Sequence, residues 1–168
     1  EAQIVRELGK FLLDGSLYQG FKPVFWSTVE KTALADAEVE YMDHTSNTIY
    51  VAFKVKKTNQ DFLKDASAII WTTTPWTIPA NKALAFNSNI EYSVIEISEL
   101  DYFKEKKIIV ATNLIESIIK ACEIENYKIL KNFKGKELSE TICSHPLIKM
   151  DFDYDVSMLD AQFVNLEQ

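Results

Sequence analysis

Glycine is scarce in this sequence, at four residues in 168. Gly15 and Gly20 have the separation of a phosphate-cradling GxxxxGK loop, but Phe21 stands where the lysine belongs, and GxGxxG does not occur. Neither kind of nucleotide-phosphate loop is present. Cysteine is scarcer still, with only Cys122 and Cys143. A disulfide framework needs more, so the expected setting is reducing and cytoplasmic. No apolar run is long enough to span a bilayer, and no membrane partner is expected. The opening EAQIVRELGK is charged and amphipathic, unlike a secretory signal. Without an initiating Met it reads as the start of an excised or processed piece. Positive charge is also in short supply, with a formal net charge of -7. A domain that grips a nucleic-acid backbone alone carries a basic footprint. The local lysines (Lys54, Lys56, Lys57; Lys104, Lys106, Lys107; those from Lys128 to Lys136) read as solvated charge. Most of the grip on any nucleic acid is therefore expected from outside this chain.

What remains is enough for a core, since 47% of the residues are hydrophobic. Ile4, Val5, Leu8, Phe11 and Leu12 recur at helical spacing, which predicts a helix over 2–13 with Gly15 just past its end. VFW at 24–26 predicts a short buried strand. Alternation over 37–41 and 48–55, with turn residues 43–47 between, predicts a hairpin. Residues 57–66 are polar, with room for one helical turn. Further strands are expected at 68–71, 83–86, 92–97, 107–111, 127–133 and 156–159. Asn113 with Glu116 predicts a capped helix that turns Leu114, Ile115, Ile118, Ile119 and Cys122 inward. The fold class is α+β: β-rich, with a curved or barrel-like sheet and two or three peripheral helices.

One stretch stands apart, IIWTTTPWTIPANKA at 69–83. Consecutive strand residues point to opposite faces, so three threonines in a row put hydroxyls on both. Each hydroxyl brings one donor and two acceptor lone pairs. Pro75 biases Thr74 to an extended shape and removes an N–H from any ladder, so the strand should stop or bend there. Pro79 repeats the effect. The expected result is a rigid bend with hydroxyls at its mouth, walled by Trp71 and Trp76, with the Asn81 amide in reach. Such a place suits a small, polar, largely neutral ligand such as an ester. A threonine-rich strand and a proline loop without a task fit the composition equally well.

WTTTPWTIPAN at 71–81 resembles the threonine-rich peptide in the editing (connective polypeptide) domain of bacterial-type isoleucyl-tRNA synthetases. The related valyl and leucyl enzymes usually carry an arginine after the paired threonines, so Thr74-Pro75-Trp76 points to the isoleucyl branch. KPVFWS at 22–27, TALADAEVEY at 32–41, SNTIYVAFKV at 46–55, SHPL at 144–147 and the strand ahead of Gln168 fit the same frame. The resemblance implies a division into 1–21, the edge of the synthetic core, and 22–168, part of the editing domain.

It also implies a chemistry. The family charges tRNA with isoleucine and admits valine, one methylene smaller. A methylene is worth about 1–3 kcal/mol, a magnitude taken from this enzyme family rather than read from the sequence. A second pocket therefore hydrolyses valyl-tRNA and excludes isoleucine by size. The implied catalytic residues are Thr73 and Thr74. The implied substrate-binding residues are Thr72, Thr73, Thr74, Trp76, Thr77 and Asn81. Editing needs no cofactor; ATP and Mg belong to the synthetic half, whose signatures are absent from these residues. The implied partners are the valine-carrying 3′ end of the isoleucine tRNA and the rest of the synthetase, in a monomer. The family's second motif, Gly-Thr-Gly followed by His, Ala-Pro, His-Gly and paired Asp, has no counterpart in residues 1–168. The alternative reading is therefore a non-catalytic part of the same domain that binds the aminoacyl end or serves as scaffold.

The other constellations are weaker. His44, Cys122, Cys143 and His145 lack finger spacing, and no metal site is assigned. Cys143 and His145 share one strand face, where a nucleophilic pair rarely finds its geometry. Glu38 and Glu40 read as a solvated face. His145 and Asp151 lie outside the family pattern and receive no role.

Overall fold

The structure is a computed structural model that describes residues 1–98 and 103–165. The chain divides into two compact units, Glu1–Thr45 and Ser46–Gln168.

In the first unit, helix α1 runs Ala2–Leu13, as its apolar spacing predicts. Its stripe of Ile4, Val5, Leu8, Phe11 and Leu12 is exposed. Gly15 follows with φ +83°, the left-handed conformation that only glycine adopts cheaply. Strand β1 (Trp26–Ser27) pairs antiparallel with β2 (Thr32–Ala33). The VFW segment is not the buried strand expected of it, for Trp26 is 58% exposed. The strand expected over 37–41 is also absent. Asp36–Glu38 form a 3-10 turn instead, because the Glu38 carboxylate accepts the Ala35 N–H at 2.7 Å and folds the chain back on itself.

The second unit is built on eight strands: β3 (Ile49–Lys57), β4 (Ala66–Thr72), β5 (Ala83–Phe86), β6 (Glu91–Ile97), β7 (Lys107–Ala111), β8 (Tyr127–Lys134), β9 (Ile142–Ser144) and β10 (Asp155–Asp160). They form one sheet in the order β5-β10-β9-β3-β4-β7-β6-β8. Among the described residues only β5/β10 and β4/β7 pair in parallel. The hairpin expected between 37–41 and 48–55 does not form. The antiparallel partner of β3 is β4, with Ile49 opposite Thr72 and Tyr50 opposite Trp71. On its other side β3 pairs with β9, a strand too short to show alternation in the sequence.

The sheet curls around one core. Phe53 and Val55 of β3, Leu84 and Phe86 of β5, Val94 of β6, Phe133 of β8 and Val156 of β10 belong to the same buried cluster. The two edge strands, β5 and β8, thus share a core, which a flat sheet of this width does not allow. Their ends are tied by the 87–90 turn, where Gly135 N–H donates to Ile90 O at 2.9 Å and Lys136 N–H to Ser88 O at 3.2 Å. On the opposite face, helix α2 (Ile115–Ala121) packs Ile115 and Ile118 onto Ile95, Ile97, Ile108 and Val110. Leu114, Ile119 and Cys122 are partly buried against this second cluster. Asn113 is not the cap. A 3-10 turn, Thr112–Leu114, precedes the helix, and the Thr112 hydroxyl is held by Ser93 at 2.9 Å.

Cys143 sits wholly inside the core, and burial pushes its thiol up to about 12. At pH 8 its reaction with iodoacetamide should track unfolding rather than precede it. The sign for stability follows from the same shift. The stabilisation from this thiol is complete below the ordinary value of 9.0 and is lost as pH rises toward about 12. Rapid labelling of Cys143 in the folded chain at pH 8 would contradict this burial.

Candidate active site at the threonine turn

Strand β4 ends at Thr72, and a 3-10 helix over Pro75–Ala80 takes over with Pro75 in its first turn. The proline's missing N–H costs nothing there, since the first donors of a helical turn have no internal partner. The connection 73–82 must reach β5, four strand spacings away in the sheet order. On a flat sheet this is roughly 19 Å, and curling shortens it. The turn therefore bridges β3, β9 and β10 rather than returning beside β4.

The hydroxyls gather on this bridge. The Thr74 N–H donates to Thr72 Oγ1 at 3.0 Å, and the two hydroxyls lie 3.1 Å apart. The Thr77 hydroxyl and the Thr77 N–H both donate to Thr74 O, at 2.8 and 3.0 Å. Thr77 Oγ1 lies 3.5 Å from Thr74 Oγ1, so Thr72, Thr74 and Thr77 make a connected row. Thr73 is different. Its hydroxyl has no hydrogen-bond partner among the described residues, and the side chain is only partly buried. Asn81 closes the turn with its N–H to Ile78 O at 2.9 Å. Its side-chain amide is not joined to the threonine row. Trp76 is 75% exposed.

Trp71 is half-exposed, directly across from Tyr50. Both line a cavity of about 580 Å³, together with Ile69, Tyr92 and Ser117 among others. No threonine of the turn lines that cavity. Its wall is mostly apolar, whereas the groups able to orient a polar ligand stand on the turn.

Two further residues hold the turn from below, and sequence reasoning gave neither a role. The β9–β10 connection carries His145 at one foot and Tyr154 at the other, next to the paired Ser144 and Asp155. His145 Nε2 lies 2.9 Å from Ile78 O, and the Tyr154 hydroxyl donates to Pro79 O. Lys82 Nζ sits 3.4 Å from the centre of the Tyr154 ring. The available sequence signal was Pro146, which biases His145 to an extended shape and so to a strand end. Among the described residues no group of three or more His, Cys, Asp and Glu is placed to hold a metal ion.

Residues 1–162 match the family model described as tRNA synthetases class I (I, L, M and V). The chain belongs to the class I tRNA synthetases. Among curated relatives of this synthetase chain, the isoleucine-tRNA ligase of Pelagibacter ubique is 66% identical over 168 residues, covering all of this chain and 19% of that protein. The isoleucine-tRNA ligase of Gluconobacter oxydans is 46% identical over 173 residues, covering 99% of this chain and 18% of that protein. The chain thus spans less than a fifth of the length of these relatives. A solved structure described as "The crystal structure of GlLeuRS-CP1" shares the fold, with a TM-score of 0.53 at 12% identity over 71% of this chain and 51% of that one. The β-rich, curved sheet expected from the sequence is therefore the fold of a synthetase CP1 domain.

Proposed function

We propose that this synthetase chain carries the editing site of an isoleucine-tRNA ligase, which hydrolyses the ester of valyl-tRNA and excludes isoleucine by size. On this reading residues 1–21 belong to the edge of the synthetic core and 22–168 to the editing domain. The observation that carries it is the threonine turn, a connected row of three hydroxyls with a fourth, on Thr73, that has no partner among the described residues. Hydrolysis of an aminoacyl ester needs a placed water and donors toward the developing oxyanion. The ester is already activated, so neither a covalent nucleophile nor a cofactor is required. Thr73 supplies the uncommitted donor. Thr74, fixed by Thr72 and Thr77, presents lone pairs to a water. Trp76 and Asn81 complete the binding surface. The partner is the aminoacyl 3′ end of tRNA, met by a cytoplasmic monomer.

A second reading has an observation of its own. Among the described residues no carboxylate bonds to any threonine of the turn, and a threonine hydroxyl has no charge with which to hold the substrate ammonium strongly. The same surface then binds the aminoacyl end without turning it over. Incubating the full chain with valyl-tRNA and isoleucyl-tRNA separates the two. Valine release above buffer, with isoleucine retained, is the expected result. Equal release of both amino acids contradicts size exclusion. Binding without release leaves the second reading, and neither binding nor release overturns both.

A further inference from the structure

We propose that His145 and Tyr154 are positioning residues that set the conformation of the threonine turn through two successive backbone carbonyls. The functional half of this proposal rests on the editing reading; the structural half does not.

The histidine is held in one tautomer. The Leu147 N–H donates to His145 Nδ1 at 3.2 Å, so Nδ1 carries no proton. The proton is therefore on Nε2, which donates to Ile78 O at 2.9 Å. The same carbonyl accepts the Asn81 N–H at 2.9 Å, so both its lone pairs are engaged. The next carbonyl, Pro79 O, accepts the Tyr154 hydroxyl. His145 is 1% exposed. Its ring is packed by Tyr154 at 4.8 Å, Phe152 at 5.5 Å and Phe53, edge-on, at 6.2 Å between centroids. A buried polar ring enclosed by aromatic side chains is costly unless its nitrogens are satisfied, and here both are.

The placement matters because the turn lies outside the ladders of the sheet. Pro75 and Pro79 contribute no N–H, and the bridge leaves the ladder of β4 for a strand four places away. The 3-10 helix is flanked by the bonds from Thr77 N–H to Thr74 O and from Asn81 N–H to Ile78 O. The two aromatic donors therefore fix where the second half of the turn lies, and with it the angle at which Thr73, Thr74 and Thr77 are presented. A discriminating site tolerates little looseness, since the difference to be sensed is one methylene.

Tyr154→Phe removes one hydroxyl and keeps the ring. His145→Phe keeps a ring and removes both nitrogens, while His145→Gln keeps an N–H donor for Ile78 O. In the full chain, amide exchange at Thr77 and Asn81 should quicken about two- to tenfold in Tyr154→Phe, the effect of one lost hydrogen bond. Amides of β6 and β7 should not change. The preference for valine over isoleucine in ester release should fall by a similar factor in Tyr154→Phe and His145→Phe, and His145→Gln should restore most of it. Should His145→Phe fail to fold, Tyr154→Phe alone carries the test. Exchange that quickens across the whole sheet with the valine preference intact would make both residues ordinary core members and overturn the proposal. Unchanged exchange at Thr77 and Asn81 would overturn it equally. A wild-type chain that releases no valine would sink the editing reading, while exchange would still decide whether the turn is positioned from below.

Discussion

Gly135→Ala is expected to cost about 3 kcal/mol of stability or more, at the upper end of what overpacking does. An added Cβ would lie 2.1 Å from Asn87 O and 2.9 Å from both Asn87 C and the Tyr92 ring. The first two are backbone atoms, which cannot swing aside as a flexible side chain would. Relief requires the 87–90 turn to move off the end of β8, with loss of the bonds from Gly135 to Ile90 and from Lys136 to Ser88. Tyr92, whose hydroxyl accepts the Asn87 N–H at 3.2 Å, would be disturbed in the same movement. Urea unfolding should show a lowered midpoint with little change in slope. For a domain of this size the melting temperature should fall by roughly 6–12 °C. A variant as stable as wild type would mean that the two sheet edges do not meet there.

The second large effect is on chemistry rather than stability. Thr73→Ala should reduce valine release about a hundredfold, the scale seen when one oxyanion donor is removed. Stability should change by no more than ~0.5 kcal/mol, because the hydroxyl has no hydrogen-bond partner among the described residues. Thr74→Ala should behave differently. Its hydroxyl lies between those of Thr72 and Thr77, so its loss should cost about 1 kcal/mol as well as activity. The two are neighbours, so the double variant should not be the sum of the singles. Steady-state kinetics on valyl-tRNA and parallel denaturation curves separate the outcomes. Unfolding of Thr73→Ala would return that residue to a structural role. Undiminished release from the double variant would send the chemistry elsewhere in the molecule.

The parts of this fold that the sequence revealed are those governed by local rules. Ala83–Phe86 and Lys107–Ala111 are bounded by turn residues and are apolar enough to leave no alternative. The errors came where a local rule met a competitor. Residues 37–41 alternate like a strand, yet Glu38 satisfies the Ala35 N–H and the chain turns instead. Asn113 has the composition of a cap, but a 3-10 turn starts one residue earlier and Thr112 is bonded to Ser93. The hairpin failed because β3 pairs with the strand after it, and alternation says nothing about which neighbour a strand selects. The threonine turn was legible from its hydroxyls and prolines. Its supports were not, since His145 and Tyr154 lie 67 and 75 residues from the carbonyls they hold.

That separation has a kinetic corollary. Loops this long close late, because their entropy must be surrendered before any contact rewards it. During synthesis the threonine segment leaves the ribosome well before β9 and β10 exist to receive it. The turn is therefore expected to be among the last regions to acquire its native shape. Until then, its apolar neighbours Trp71 and Ile78 present a sticky surface that a nascent chain would do well to have guarded by chaperones.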